Sequence, residues 1–114
     1  MVIVRGEIWW ADLSPTQGTE QSGVRPVVIV QMDKANNASP HTIMVPLTTK
    51  IRHKLLRSHV QPHKGDGGTT EEAVILCEQI RVVDKRRLRT RMGTLTDIQI
   101  EEIDVALKVI LNLS

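Results

Sequence analysis

The sequence predicts a mainly β fold with α (α+β): a small, strongly curved sheet or partial barrel followed by one C-terminal helix. Three observations carry that expectation. Short runs of β-favouring residues recur between segments rich in Gly, Pro, Asn and Asp. The chain finishes in one long apolar-periodic run with helix-start signals. Neither βαβ alternation nor a glycine-rich phosphate loop is present. The 114 residues favour a single domain spanning 1–114.

The elements follow in order. Residues 8–13 read as a strand, and residues 14–23, SPTQGTEQSG, as a polar loop. Residues 27–31 form the next expected strand. Pro26 suits its first position, where no ladder N–H is missed. DKANNASP, 33–40, reads as a turn-rich connection, and 42–47 as an apolar strand. A basic loop over 50–58 precedes a short strand near 59–61, and HKGDGGTTEE is a further loop. Residues 73–80 read as one strand, 84–87 as a single helical turn and 90–93 as a short strand. The C-terminal helix has the clearest signature. Thr96 and Gln99 have capping-box spacing, and Leu95 and Ile100 are placed as a hydrophobic staple. Ile100, Ile103, Leu107 and Ile110 define one helical face, which Val105, Val109 and Leu113 widen. Such a width offers surface to a second copy of the chain or sinks the helix in the core.

Composition narrows the class. Hydrophobic residues make up 40% and charged residues 25%, the balance of a soluble globular protein. No run is long and apolar enough for a transmembrane helix, and MVIVRGEIWW lacks signal-peptide order. With one cysteine, Cys77, no intrachain disulfide forms; a cytoplasmic location is the expectation, with Cys77 a buried inert thiol. Net charge is +2, but residues 50–64 hold five Lys/Arg and no acid, while 81–91 hold six Lys/Arg against Asp84. Acids gather at Asp97, Glu101, Glu102 and Asp104. The pattern fits either a cationic face for a polyanion or two solvated loops. Trp9 and Trp10 are the only aromatic residues, and strand geometry points them to opposite faces, so a base-stacking platform is not expected.

Among chemistries, metal binding is not expected. His53, His59 and His63 cluster, but no cysteine pair or HExxH pattern accompanies them. No G-x-S-x-G elbow supports a serine hydrolase, and adjacent Glu71 and Glu72 do not suggest a glycosidase pair. Phosphate chemistry without a metal or other cofactor remains. RNA strand cleavage requires the 2′-hydroxyl to lose a proton, the 5′-oxygen to gain one, and charge on phosphate to be stabilised. Arg25, at the mouth of the Val27–Val30 run, is suited to the last task, because its planar fork grips two phosphate oxygens. On the residues alone it equally reads as a strand-start arginine paired to Glu20. Thr48 and Thr49, ending the strand in PLTTK, either bind phosphate or cap a turn.

Quoted together, RGEIWWADLSPTQGTEQSGVRPVVIVQ, VPLTTK and LCEQIRVVDKRRL resemble the MazF/PemK family of toxin ribonucleases, over about residues 4–112. The G-x-E-Q-x-G-x-R-P block is specific to that family. The resemblance implies an SH3-like or CcdB-like curved barrel with a C-terminal helix, usually a homodimer. It also implies metal-independent cleavage of single-stranded RNA, mRNA foremost, to 2′,3′-cyclic phosphate and 5′-hydroxyl ends. Carried over, the catalytic residues are Arg25 and Thr48. The substrate-binding residues are Gln17, Glu20, Thr49, His59, Glu78 and Gln79. The implied partners are single-stranded RNA and a cognate antitoxin with an acidic disordered tail, through which operator DNA is bound. Ser22 departs from a glycine common in the family, which bears on target sequence. The rival readings are a non-enzymatic gyrase poison of the same fold and an RNA-binding barrel without catalysis.

Overall fold

The structure, a computed structural model, describes residues 1–14, 23–50, 56–62 and 65–113. Among those residues, seven antiparallel strands and two helices form the framework, with three short 3-10 turns between them. The strands are β1 Glu7–Asp12, β2 Val24–Ile29, β3 His41–Thr48, β4 His59–Val60, β5 Val74–Leu76, β6 Arg81–Asp84 and β7 Leu88–Thr94. Helix α1 spans Asp33–Ala38 and helix α2 Asp97–Ile110. The sheet order is β4-β5-β3-β2-β1-β7, with β6 on the free half of β3 beside β5. Among the described residues the path is open, so the expected barrel is a curled sheet with two ends rather than a closed ring.

Alternation along β2 explains why the sheet is buried on both sides. Val28 joins Ile8, Val45, Leu47 and Ile75 beneath α2, which contributes Ile103 and Ala106. Val27 and Ile29 point the other way and meet Trp9, Leu13, Met44, Val83 and Leu88. Burying a side chain such as Ile103 contributes roughly 1.5–3 kcal/mol, so the α2 seam alone holds the helix on the sheet. Trp9 is buried and Trp10 stands 38% exposed, as their adjacency on one strand requires.

Helix α2 begins as the capping box predicts. Gln99 N–H donates to the Thr96 hydroxyl, and the Thr96 N–H donates to the Gln99 side-chain oxygen. The widened apolar surface divides: Ile103 and Ala106 face the core, while Ile98 and Val105 face solvent. Four other expectations need correction. Residues 33–40 are not merely a turn, because Asn36 nucleates α1: its buried amide bonds the Gln31 side chain and carbonyl, the Thr42 hydroxyl and Asp33. The run 73–80 is not one strand, because a 3-10 turn over Cys77–Gln79 divides β5 from β6. Strand β2 starts at Val24, three residues early, since pairing with β1 continues to Asp12↔Val24 while the ladder to β3 stops at Val27. Pro26 is therefore inside β2 but outside the β3 ladder. Strand β7 runs Leu88–Thr94, longer than the expected 90–93, because β1 pairs along it from Leu88 to Thr94. The expected basic loop lies partly outside the described residues, at 51–55.

Candidate active site

Arg25 stands where β2 leaves the loop after β1. Gly23 makes the turn with φ +78°, a left-handed conformation in which a side chain would be strained. Its carbonyl accepts from Leu13 N–H at 2.9 Å, and its own N–H donates to Ser14 Oγ at 3.1 Å. The chain then enters β2, with Arg25 opposite Ala11 on β1. Arg25, Val27 and Ile29 share one side of the strand. Val27 and Ile29 are fully buried, whereas Arg25 is exposed, so the core side of β2 ends in a guanidinium at the rim.

Strand β3 supplies the second residue. Its pairs with β2 are Ile29↔Met44, Val28↔Val45 and Val27↔Pro46. That ladder ends at Val27↔Pro46, two residues short of Arg25 on β2 and of Thr48 on β3, and strand alternation puts both residues on one side of the sheet. Thr48 is almost buried, and its Oγ1 accepts from Lys50 N–H at 3.1 Å. That bond fixes the hydroxyl oxygen and leaves its proton available to an acceptor. Thr48 thus caps the turn after β3 and can still donate to a phosphate oxygen. Thr49 follows it into solvent.

His59 and Glu78 form a second group. Leu56 N–H donates to His59 Nδ1 at 3.1 Å, so the ring proton lies on Nε2, which donates to Glu78 Oε2 at 2.9 Å. Ser58 Oγ donates to the other carboxylate oxygen at 3.2 Å. His59 therefore braces the chain at Leu56. The pairs Thr48↔Val74 and His59↔Leu76 place Thr48 and His59 on the same side of the sheet, separated by β5. Gln79 follows Glu78 in the 3-10 turn and is half-buried. Gln17 and Glu20 lie outside the described residues. Ser58 had no signal in the sequence; only the fold shows that it holds Glu78.

The arginine block of β7 has a different use. Arg91 donates to Glu7 Oε2 at 3.0 Å, while the other Glu7 oxygen accepts from Val4 N–H and from Trp9 Nε1–H. Arg89 approaches Asp12 at 3.5 Å, and Arg86 makes a forked bond to Asp84. The Arg86 side chain, with its backbone N–H, holds the Asp84 carboxyl below its ordinary range, and Asp84 in turn raises the Arg86 guanidinium. The Ser14 N–H and then Arg89 lower Asp12 in the same direction. The cationic cluster read from residues 81–91 is thus partly neutralised along the seam between β7 and β1. Cys77 is fully buried, and desolvation, with the nearby Glu78 charge, pushes its thiol up to about 12, as suits an inert core residue. Among the described residues, no group of three or more His, Cys, Asp or Glu could hold a metal, and no helix is long and apolar enough to cross a membrane.

Residues 4–111 match the PemK-like, MazF-like toxins of type II toxin–antitoxin systems. The chain belongs to that family. As a member it is a MazF-like endoribonuclease toxin. Solved structures agree in fold. A mycobacterial endoribonuclease in complex with its cognate antitoxin superposes with a TM-score of 0.83 at 23% identity, covering 99% of this chain and 98% of that one. MazF from Deinococcus radiodurans gives 0.81 at 23% identity, with 98% of each chain covered. A MazE–MazF complex from the same organism gives 0.79 at 22% identity, with both chains covered completely.

Proposed function

We propose that this toxin cuts single-stranded RNA, without a metal or other cofactor, at a site formed by Arg25 and Thr48. The reading is supported by the β2–β3 register, whose last pair, Val27↔Pro46, lies two residues from both Arg25 and Thr48. In the proposed reaction the 2′-oxygen forms a bond to phosphorus and the bond to the 5′-oxygen breaks. The 2′-hydroxyl gives up its proton, and the leaving oxygen receives one. Arg25 stabilises the charge that builds on the phosphate and takes part in the proton transfer. Its guanidinium carries N–H donors and no acceptor, which suits it to the leaving oxygen rather than to the 2′-hydroxyl. Thr48 holds a non-bridging oxygen. The products are a 2′,3′-cyclic phosphate and a 5′-hydroxyl. Thr49, His59, Glu78 and Gln79, with Gln17 and Glu20, would bind nucleotides on either side.

A cognate antitoxin belongs to the same reading, as in the antitoxin-bound relatives. Its acidic, disordered tail would cover the Arg25 rim, and operator DNA would be bound through the antitoxin. A homodimer is proposed as well, with the solvent-facing Ile98, Val105 and Val109 of α2 offered to a second copy in the cytoplasm.

The test is to incubate a transcript with the purified toxin in EDTA and determine the chemistry of the new ends. New 5′ ends that a kinase labels without prior phosphatase, beside 2′,3′-cyclic phosphates, are expected. Products bearing 5′-phosphates, or cleavage that appears only on adding Mg²⁺, would overturn the proposal.

A further inference from the structure

The arginine of β7's leading turn that forms no carboxylate bond among the described residues is Arg87, and it points at the root of the loop before Arg25. Its Nη1–H donates to the Asp12 carbonyl at 3.1 Å and also to the Ser14 carbonyl. Those two carbonyls flank Leu13, where the chain leaves β1. Ser14 then receives Gly23 N–H through its hydroxyl, and Leu13 N–H donates to the Gly23 carbonyl at 2.9 Å. Two residues later comes Arg25. A short run of hydrogen bonds thus links Arg87 to the start of β2, although the two arginines are far apart in sequence.

The turn that presents Arg87 is itself held from several directions. Asp84 caps it by accepting from Arg86 N–H at 2.8 Å. Lys85 N–H donates to the Pro40 carbonyl at 2.9 Å, and the Lys85 ammonium donates to the Asn36 carbonyl. Leu88, next in sequence, is buried in the core beside Leu13. The guanidinium therefore projects from a fixed turn onto two carbonyls of another element. Both bonds leave one nitrogen, Nη1, whose two N–H groups span the two carbonyls.

We infer that Arg87 is a positioning residue for RNA cleavage: it holds the Asp12–Ser14 and Gly23 ends together and so sets where Arg25 stands against Thr48. This rests on the proposed role of Arg25. Displacing a reacting group by an ångström can lower a rate by about a hundredfold, so loosening this root should act on the chemical step more than on RNA binding.

The experiment measures kcat and KM on a short single-stranded RNA for the parent, Arg87→Met, Arg87→Lys and Ser14→Ala, with amide hydrogen exchange at Gly23. Arg87→Met is expected to lower kcat by about tenfold to a hundredfold, with KM within about twofold and faster exchange at Gly23. Arg87→Lys, which keeps the charge and N–H donors on a differently shaped stem, should recover part of kcat, and Ser14→Ala should lose part of it. If Arg87→Met fails to fold, the lysine and Ser14 variants carry the same test. An active parent whose folded variants all keep the parental kcat would overturn the inference and leave the RNA-cleavage reading standing. A parent that does not cut RNA would overturn both.

Discussion

Strands β7 and β2 both display arginine, and the structure puts that side chain to different work on each. On the edge strand β7, Arg91 and Arg89 meet Glu7 and Asp12 of β1, and at the turn before it Arg86 meets Asp84. Charge there joins the last strand to the sheet. On β2, Arg25 pairs with Ala11 of β1 and lies exposed beyond the last buried valine, Val27. The difference shows that charge density along a sequence is a poor guide to a binding face. Six basic residues in eleven, 81–91, read as a cationic surface. On β7 and the turn before it, the guanidiniums of Arg86, Arg89 and Arg91 are each engaged by a carboxylate that the fold places within reach.

That contrast can be broken at several points. The largest effect is expected at Arg25: replacing it by alanine should slow RNA cleavage at least about a hundredfold. Its melting temperature should stay close to the parent's, because no core packing is lost. Glu7→Gln should show the opposite profile. Glu7 is buried and accepts from Val4, Trp9 and Arg91, so the substitution sets an amide against Arg91 and loses charge-assisted bonds. Because Arg91 is more than half exposed, the expected cost is discounted to about 2 kcal/mol, read in a denaturant titration, with cleavage by the folded protein retained.

A somewhat smaller loss is expected at the other side of β7. A Cβ on Gly93 would lie 2.4 Å from the Gly67 carbonyl oxygen, a backbone atom that cannot swing aside. Gly93→Ala should cost about 1–2 kcal/mol by thermal unfolding. The smallest effect belongs to Asp12 and Asp84. Both carboxyls are held below their ordinary value of 3.8 in the folded protein. Their contribution is therefore present above that value and lost as pH falls through the lower folded one. Asp12→Asn and Asp84→Asn should each lower the melting temperature slightly at neutral pH. The gap from the parent should close well below pH 3.8.

Much of this was legible in the sequence, for reasons that can be named. Thr96 and Gln99 announce α2 because a capping box is local chemistry, complete within four residues. Trp9 and Trp10 could be assigned to opposite faces because strand alternation needs no tertiary information. Arg25 and Thr48 could be picked out by the resemblance; their places on neighbouring strands needed the pairing of β2 with β3. Helix α1 was hidden because its stability comes from Asn36 reaching Gln31 and Thr42, not from apolar periodicity. The break at Cys77–Gln79 was hidden inside an apolar run. Arg87 was legible only as one more charge, since its partners are backbone carbonyls more than seventy residues away.

One measurement bears most directly on the contrast between the two strands. Arg25→Ala and Arg91→Ala would be compared with the parent for cleavage of one short single-stranded RNA in EDTA, at matched folded concentration. The expected result is no product above background from Arg25→Ala and a parental rate from Arg91→Ala. Parental cleavage by Arg25→Ala would contradict the assignment of the site, however well the fold survived.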